Sequence, residues 1–147
     1  MRILGLDVGD RWIGVALSDP TGTLASGLPT LERVGPKKDL KRVAELAREH
    51  EVGQVVVGLP LKLDGSAGAQ ANKVLEFIEA LRVRVGVPVV PWDERLTTVA
   101  AHNALIEGNV SRRGRKRVVD KVAAVLILQN YLDYRNTAQA ESRGAVV

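Results

Sequence analysis

The first part of the chain carries apolar and polar residues in a pattern typical of β-strands. Residues 2–8 and 12–18 are short apolar runs, and residues 9–11 between them break the pattern. This spacing predicts a β-hairpin with a three-residue connection. A turn at residues 19–22, followed by residues 23–30, predicts a third strand. The chain therefore opens with an antiparallel meander.

From residue 36 onward, the apolar spacing is that of helices interrupted by short buried strands. Pro36 suits the first turn of a helix, and Pro91 is expected to end a strand. The predicted order, β-β-β-α-β-α-β-α-α, indicates an α/β fold in which right-handed crossovers add parallel strands. After the meander, the predicted elements are a helix over residues 36–50, a strand at 55–57, a helix around 74–81, a strand at 87–90, a helix at 97–107 and a long helix at 118–134.

Asp7 lies on a face of the predicted hairpin that is nearly bare of large side chains. Side chains alternate along a strand, so every second residue shares a face. The long helix includes an entirely apolar stretch, residues 122–128, whose small alanines suit close packing on that bare face. Such packing would bring Asp120, at the start of the helix, towards Asp7. The bare face consists of Ile3, Gly5, Asp7 and Gly9 in the first strand and Gly14, Ala16 and Ser18 in the second.

Glu94 follows the last predicted strand, at the sheet edge where open α/β sheets bind ligands. Taken alone, Glu94 is typical of a polar strand-to-helix loop, and Asp120 is better explained as a favourable charge in a first helical turn. Together with Asp7 they form a set of three converging carboxylates. Hard oxygen ligands suit Mg²⁺ or Mn²⁺, and two such ions can promote hydrolysis of a phosphodiester. We therefore predict that Asp7, Glu94 and Asp120 are catalytic metal ligands.

The concentration of positive charge in one segment indicates that the partner is a nucleic acid. The chain has 147 residues and a net charge of +4, and one short segment supplies five positive charges. We predict that this segment, with Arg11 and Arg95, contacts a phosphate backbone. The alternatives are a solvated loop for the segment, and salt bridges to neighbouring carboxylates for Arg11 and Arg95. The basic segment consists of Arg112, Arg113, Arg115, Lys116 and Arg117.

Composition excludes several other classes of protein. With no cysteine, the chain has no disulfide scaffold, thiolate zinc site or cysteine nucleophile. No apolar run is long enough for a membrane span, and no signal-peptide pattern is seen, so we expect a cytoplasmic protein. We expect one domain over residues 1–135 and a flexible tail over residues 136–147. The sequence favours neither a monomer nor a homodimer.

Four motifs resemble those of the YqgF or RuvX family, whose members are described as Holliday junction resolvases and pre-16S rRNA nucleases of the RNase H-like superfamily. The resemblance spans about residues 2–134, and the motifs follow the family's order and spacing. Lys62 and Leu63 are not a recognisable part of it. The motifs lie at residues 7–19 (DVGDRWIGVALSD), at 57–61 with 64–66 (VGLPL and DGS), at 93–98 (DERLTT), and at 120–124 with 126–129 (DKVAA and LILQ).

The resemblance implies an RNase H-like mixed five-stranded sheet with helices on both faces. It also implies a metal-dependent nuclease in which Asp7, Glu94 and Asp120 fill the acidic positions. Members of the family are linked to maturation of the 5′ end of ribosomal RNA precursors and to cleavage of branched DNA, and the sequence does not choose between these substrates. Two other interpretations remain: a non-catalytic RNA-binding factor in ribosome assembly, and a phosphate-binding domain of the actin-like or sugar-kinase type.

Overall fold

The computed structural model describes residues 1–96 and 112–146, with side chains for residues 1–96 and 122–140. The predicted helix at residues 97–107 lies outside the described residues. In the part of the chain that is described, no helix has the length and apolar character of a membrane span.

Five strands form one mixed sheet in the order β3-β2-β1-β4-β5. The three strands of the opening meander pair antiparallel, whereas β4 and β5 pair parallel, β4 with β1 and β5 with β4. The predicted α/β fold with a mixed five-stranded sheet is therefore confirmed. The strands are β1 (Ile3–Val8), β2 (Trp12–Ser18), β3 (Ala25–Glu32), β4 (Gln54–Leu59) and β5 (Val89–Asp93).

Helices cover both faces of the sheet. The helices α1 (Pro36–Glu49) and α2 (Ala69–Val85) pack on one face, over the bulky residues of the strands. The helix α3 (Arg112–Val146) packs on the other face, where it contacts β1, β2, β3 and β4. Each face has its own apolar cluster, so the sheet is the middle layer of three.

The small residues of β1 and β2 allow α3 to approach the sheet closely. A Cβ atom added to Gly5 would lie 2.7 Å from the Cβ of Leu128. Ala16 on β2 and Ala124 on α3 are both fully buried in the same apolar cluster. The predicted packing of the long helix on the bare face is thus confirmed.

Strand β3 lies two residues later than predicted, and two larger differences from the predicted elements have a physical reason. Strand β5 runs through Pro91 to Asp93. Proline has no backbone N–H to donate, and it is tolerated in an edge strand because one side of that strand has no neighbouring strand to accept a hydrogen bond. Helix α3 runs from Arg112 to Val146, so the basic segment is helical and not a loop, and the helix continues over residues 136–146. The flexibility of the tail stays a prediction. Arg, Lys, Ala and Gln favour helices, and residues 112–146 contain no proline.

Candidate metal and phosphate site

Asp7 lies near the carboxyl end of β1, on the face that α3 covers. It pairs in register with Gly14 of β2. Leu6 pairs with Val57 of β4, so the next residue of each strand, Asp7 and Gly58, are neighbours across the parallel pair. Asp7 is half-buried, and its neighbours on both adjacent strands are glycines, which carry no side chain.

Glu94 reaches the same face from the neighbouring strand end. It opens a 3-10 turn, Glu94–Leu96, directly after β5. A Cβ atom added to Gly58 would lie 3.3 Å from the carboxyl carbon of Glu94 and 2.4 Å from Cδ1 of Ile127 on α3. The carboxyl group of Glu94 therefore lies over Gly58, between the sheet and α3, and Gly58 is the position that separates it from Asp7.

The carboxyl group of Glu94 is held in a partly desolvated place. Burial raises the pKa of Glu94 above its usual value, and the negative charge of Asp93 raises it further. Both effects disfavour the ionised form in the protein alone. A cation next to the carboxylate would offset both, so the electrostatics of this position suit a positively charged ligand.

Arg95 is held in place by neighbouring protein groups. Its guanidinium donates hydrogen bonds to both carboxylate oxygens of Asp93, the shortest being 2.7 Å, and Nη1 donates to the carbonyl of Leu63 at 3.2 Å. The backbone N–H of Arg95 also donates to Asp93. Because Leu63 belongs to the loop between β4 and α2, these contacts tie that loop to the turn carrying Glu94. Of the two roles considered for Arg95, the described contacts favour orienting the acidic turn, and phosphate contact stays a prediction.

Arg11 lies in the β1–β2 connection and is more exposed than Arg95. Its guanidinium is 3.9 Å from the carboxylate of Glu32 and lies over the ring of Trp12, 5.8 Å from the centroid. The side chain is 59% exposed. Such a long ion pair at the surface contributes little to stability, so Arg11 remains accessible to an anionic partner.

The sequence analysis missed a buried ion pair that supports this connection. Asp39 in the first turn of α1 is 1% exposed and accepts a hydrogen bond from Nε of Arg33 at 3.1 Å. Nη1 of Arg33 donates to the carbonyl of Gly9 at 3.0 Å, and the backbone N–H of Arg33 donates to the carbonyl of Arg11 at 2.8 Å. Arg33 thereby fixes the turn that follows Asp7. The available signal was an acidic residue in the first turn of an otherwise basic helix start.

Asp120 and the basic segment lie in the first turns of α3, and only their backbone is described. Asp120 precedes Ala124 by one helical turn, and the carbonyl of Ala124 lies 3.4 Å from the position of a Cβ on Gly5. Among the side chains that are described, no three His, Cys, Asp or Glu residues are grouped as metal ligands. The convergence of Asp120 on Asp7 and Glu94 therefore stays a prediction, as do the contacts of Arg112, Arg113, Arg115, Lys116 and Arg117.

Comparison with known proteins agrees with this architecture. The family model described as "RuvX: Holliday junction resolvase" matches residues 1–134. A protein of Thermoanaerobacter pseudethanolicus is 54% identical over 134 residues, covering 90% of this chain and 96% of the relative. A protein of Clostridium tetani is 53% identical over 133 residues, with coverage of 90% and 96%. Both relatives carry the name "Putative pre-16S rRNA nuclease".

Solved structures of junction resolvases share the fold. RuvC of Thermus thermophilus in complex with a Holliday junction substrate aligns with a TM-score of 0.60 and 16% identity, covering 93% of this chain and 96% of the other. The fowlpox virus Holliday junction resolvase aligns with a TM-score of 0.51 and 16% identity, covering 94% and 99%. The predicted RNase H-like fold is thus confirmed, and so, at the level of the family, is the prediction of an enzyme that cleaves nucleic acid. With a family match over residues 1–134 and relatives about half identical to it, the chain belongs to the RuvX family of Holliday junction resolvases.

Proposed function

We propose that this protein is a metal-dependent nuclease that hydrolyses phosphodiester bonds in the precursor of 16S rRNA. The single observation that carries the proposal is the position of the Glu94 carboxyl over Gly58, on the same face and at the same sheet edge as Asp7. The choice of RNA rests on the names of relatives about half identical over nine-tenths of the chain. Branched DNA is the second candidate, favoured by the description of the family.

The donor set suits a divalent cation of the Mg²⁺ or Mn²⁺ kind. Carboxylate oxygens are the hard ligands that such ions prefer. Burial raises the pKa of Glu94, and a bound cation would favour its ionised form. Asp7, Glu94 and Asp120 would hold the metal, with two ions as the expected number. Bound there, divalent ions would supply Lewis acidity to the scissile phosphate.

The protein's own contribution is to present these ligands on a rigid framework. Asp7 is fixed by the ladders of β1 with β2 and β4, and Glu94 by the 3-10 turn that Asp93 and Arg95 brace. Gly58 carries no side chain, so the Glu94 carboxyl and Ile127 occupy the space over it, next to Asp7. Such preorganisation avoids rearrangement of the site during the reaction.

The nucleic acid is expected to be bound through its backbone. Aromatic residues make up 3% of the chain, too few for a platform on which single-stranded bases stack. Arg11 and the basic start of α3 would supply phosphate contacts that position the strand. Binding of this kind depends steeply on salt and weakly on sequence.

A cleavage assay on four substrates tests the proposal. Purified protein is incubated with Mg²⁺, Mn²⁺ or EDTA and a pre-16S rRNA 5′ leader, a four-way DNA junction, a DNA flap or a DNA duplex. We expect metal-dependent cleavage of the RNA that Asp7→Asn, Glu94→Gln and Asp120→Asn each reduce by at least about a hundredfold, since each removes a group acting on the transition state.

Asp10→Asn is the matched control, because Asp10 is an exposed acid three residues from Asp7 that pairs with Lys73 at 3.4 Å. It should cleave like the wild type. Cutting of the junction but not of the RNA would favour the second candidate. Tight, metal-independent binding without any cleavage would instead identify a non-catalytic RNA-binding factor and overturn the proposal.

A further inference from the structure

Helix α1 carries its charges in an uneven order along its length. Lys37, Lys38 and Lys41, here called the α1 lysine cluster, are all exposed and occupy its first two turns. Glu45 and Glu49 lie exposed in its second half. Within the described part of the chain, none of the recorded ion pairs involves a lysine of this cluster.

The exposed lysines at the start of α1 are the opposite of what stabilises a helix, whereas Arg48 in the last turn has the favourable sign. The N-terminal end of a helix carries a partial positive charge, so basic residues there are unfavourable and acidic ones favourable. The one acid of the first turn, Asp39, is buried against Arg33 and does not compensate the exposed lysines. Departures from local preference of this kind are expected at functional surfaces. Helix stability therefore does not explain the α1 lysine cluster.

The cluster lies at the same edge of the sheet as the candidate site. Glu32 is the last residue of β3 and pairs with Trp12, the first residue of β2. Both therefore lie at the end of the sheet where β1 ends, close to Asp7. Helix α1 begins four residues after Glu32, and Arg42 donates from Nη1 to the carbonyl of Glu32 at 2.7 Å. The lysines therefore lie at the start of the helical layer opposite α3, next to the β1–β2 connection that contains Arg11.

Two acids at this edge are paired, and a third, Glu76 of α2, lines the same groove as Pro36 and is outnumbered by the three lysines. Glu32 contacts Arg11, and Asp10 contacts Lys73. The edge therefore keeps an excess of positive charge on the α1 side. An excess of this kind attracts a polyanion and is screened by salt.

We infer that the α1 lysine cluster is a second nucleic-acid contact, which binds backbone phosphates flanking the cleavage site on the side of the sheet away from α3. The inference rests on the proposed function insofar as the partner is a nucleic acid. It adds a path for the strand: across the carboxyl edge of the sheet, from the start of α3 past Arg11 to the start of α1. In this path, lysine and arginine side chains bind backbone phosphates and do not read the bases.

Equilibrium binding at several salt concentrations tests this inference. The probe is a labelled four-way DNA junction, compared with an RNA duplex that has a single-stranded 5′ extension, both in EDTA so that no cleavage occurs. The variant is Lys37→Gln with Lys38→Gln. The control is Arg48→Gln with Arg84→Gln, which removes the same charge from exposed positions near the C-terminal ends of α1 and α2.

Each phosphate contact contributes about −0.9 to the slope of log affinity against log salt on duplex DNA. Loss of two contacts should flatten the slope by about 1.8, so the variant loses about tenfold less affinity than the wild type between roughly 50 and 200 mM salt. The control should keep the wild-type slope. The melting temperature of the lysine variant should hold or rise, because an unfavourable interaction with the helix end is removed.

The outcomes separate this inference from the proposed function. Binding with a flattened slope in a protein that cleaves nothing would support the lysine contact and overturn the nuclease. Normal cleavage with an unchanged slope in the lysine variant would overturn the lysine contact alone. Equal flattening in the variant and the control would also overturn it, since the effect would then reflect net charge and not position.

Discussion

Replacement of Gly58 by alanine should destabilise the protein mainly through one contact. The added Cβ would lie 2.4 Å from Cδ1 of Ile127, far inside the roughly 3.5–4.0 Å at which carbon atoms attract. Ile127 is fully buried, so its Cδ1 cannot move without displacing neighbours. Overpacking of this kind lowers the free energy of unfolding by about 1–3 kcal/mol.

A second substitution removes the atom responsible. Ile127→Val deletes Cδ1 and by itself costs about 0.5–1.5 kcal/mol. In the double variant the alanine methyl occupies part of the vacated space, so its stability should be close to that of Ile127→Val alone. The two changes should therefore be coupled by about 1–3 kcal/mol in the favourable direction.

A matched pair of changes at Gly5 should behave differently. There the added Cβ would lie 2.7 Å from the Cβ of Leu128, an atom that Leu128→Ala retains. Leu128→Ala costs about 2–5 kcal/mol and should rescue Gly5→Ala little. Both cycles are measured by urea denaturation in metal-free buffer, with the slope of stability against urea checked for constancy. Additive effects of Gly58→Ala and Ile127→Val would refute the reasoning.

The Gly58 cycle also separates stability from activity. The added Cβ lies 3.3 Å from the carboxyl carbon of Glu94, and trimming Ile127 does not relieve that contact. The double variant should therefore regain stability while its cleavage rate stays below that of Ile127→Val. Equal cleavage rates would mean that Glu94 has room to adjust.

Two further predictions concern the turn that carries Glu94. Burial, with a smaller effect of Asp93, raises the pKa of Glu94 in the folded protein. The stability that protonated Glu94 contributes is therefore complete below the unfolded-state pKa and is lost as the pH rises through the folded-state pKa. In EDTA, Glu94→Gln should melt at a higher temperature than the wild type near neutral pH, and a difference in melting temperature that stayed constant down to about pH 4 would contradict this. Arg95→Lys keeps the positive charge but loses the paired contact with Asp93, so kcat should fall while KM stays nearly unchanged. Adding Asp93→Asn to this variant should lower kcat little further. A raised KM with a flatter salt dependence of binding would show instead that Arg95 binds phosphate.

Much of the site's framework could be predicted from local patterns. Alternation along β1 was sufficient to put Asp7 on the bare face, and the small residues opposite it indicated where α3 packs. Glu94 could be assigned to the correct edge because it follows a strand that runs parallel to β1. These inferences need only the period of a strand and the direction of a crossover.

The remaining features depend on contacts between residues distant in sequence. Arg95 and Leu63 are 32 residues apart, and no local pattern links them. The passage of β5 through Pro91 depends on its place at the edge of the sheet, which the strand order decides. The helical start of α3 at Arg112 was missed because a dense run of positive charge was interpreted as a loop, although arginine and lysine favour helices.

The late place of α3 in the chain has a consequence for biosynthesis. Its residues Ala124, Ile127 and Leu128 form much of the apolar cluster over the bare face, and they are translated after every strand of the sheet. At about 5–20 residues per second, the 39 residues that follow Asp93 up to and including Leu132 take roughly 2–8 s to synthesise. Until α3 has emerged, the apolar face that it covers in the finished protein has no partner in the chain. Completion of the candidate site, which includes Asp120 near the start of α3, therefore depends on the last part of the chain to be synthesised.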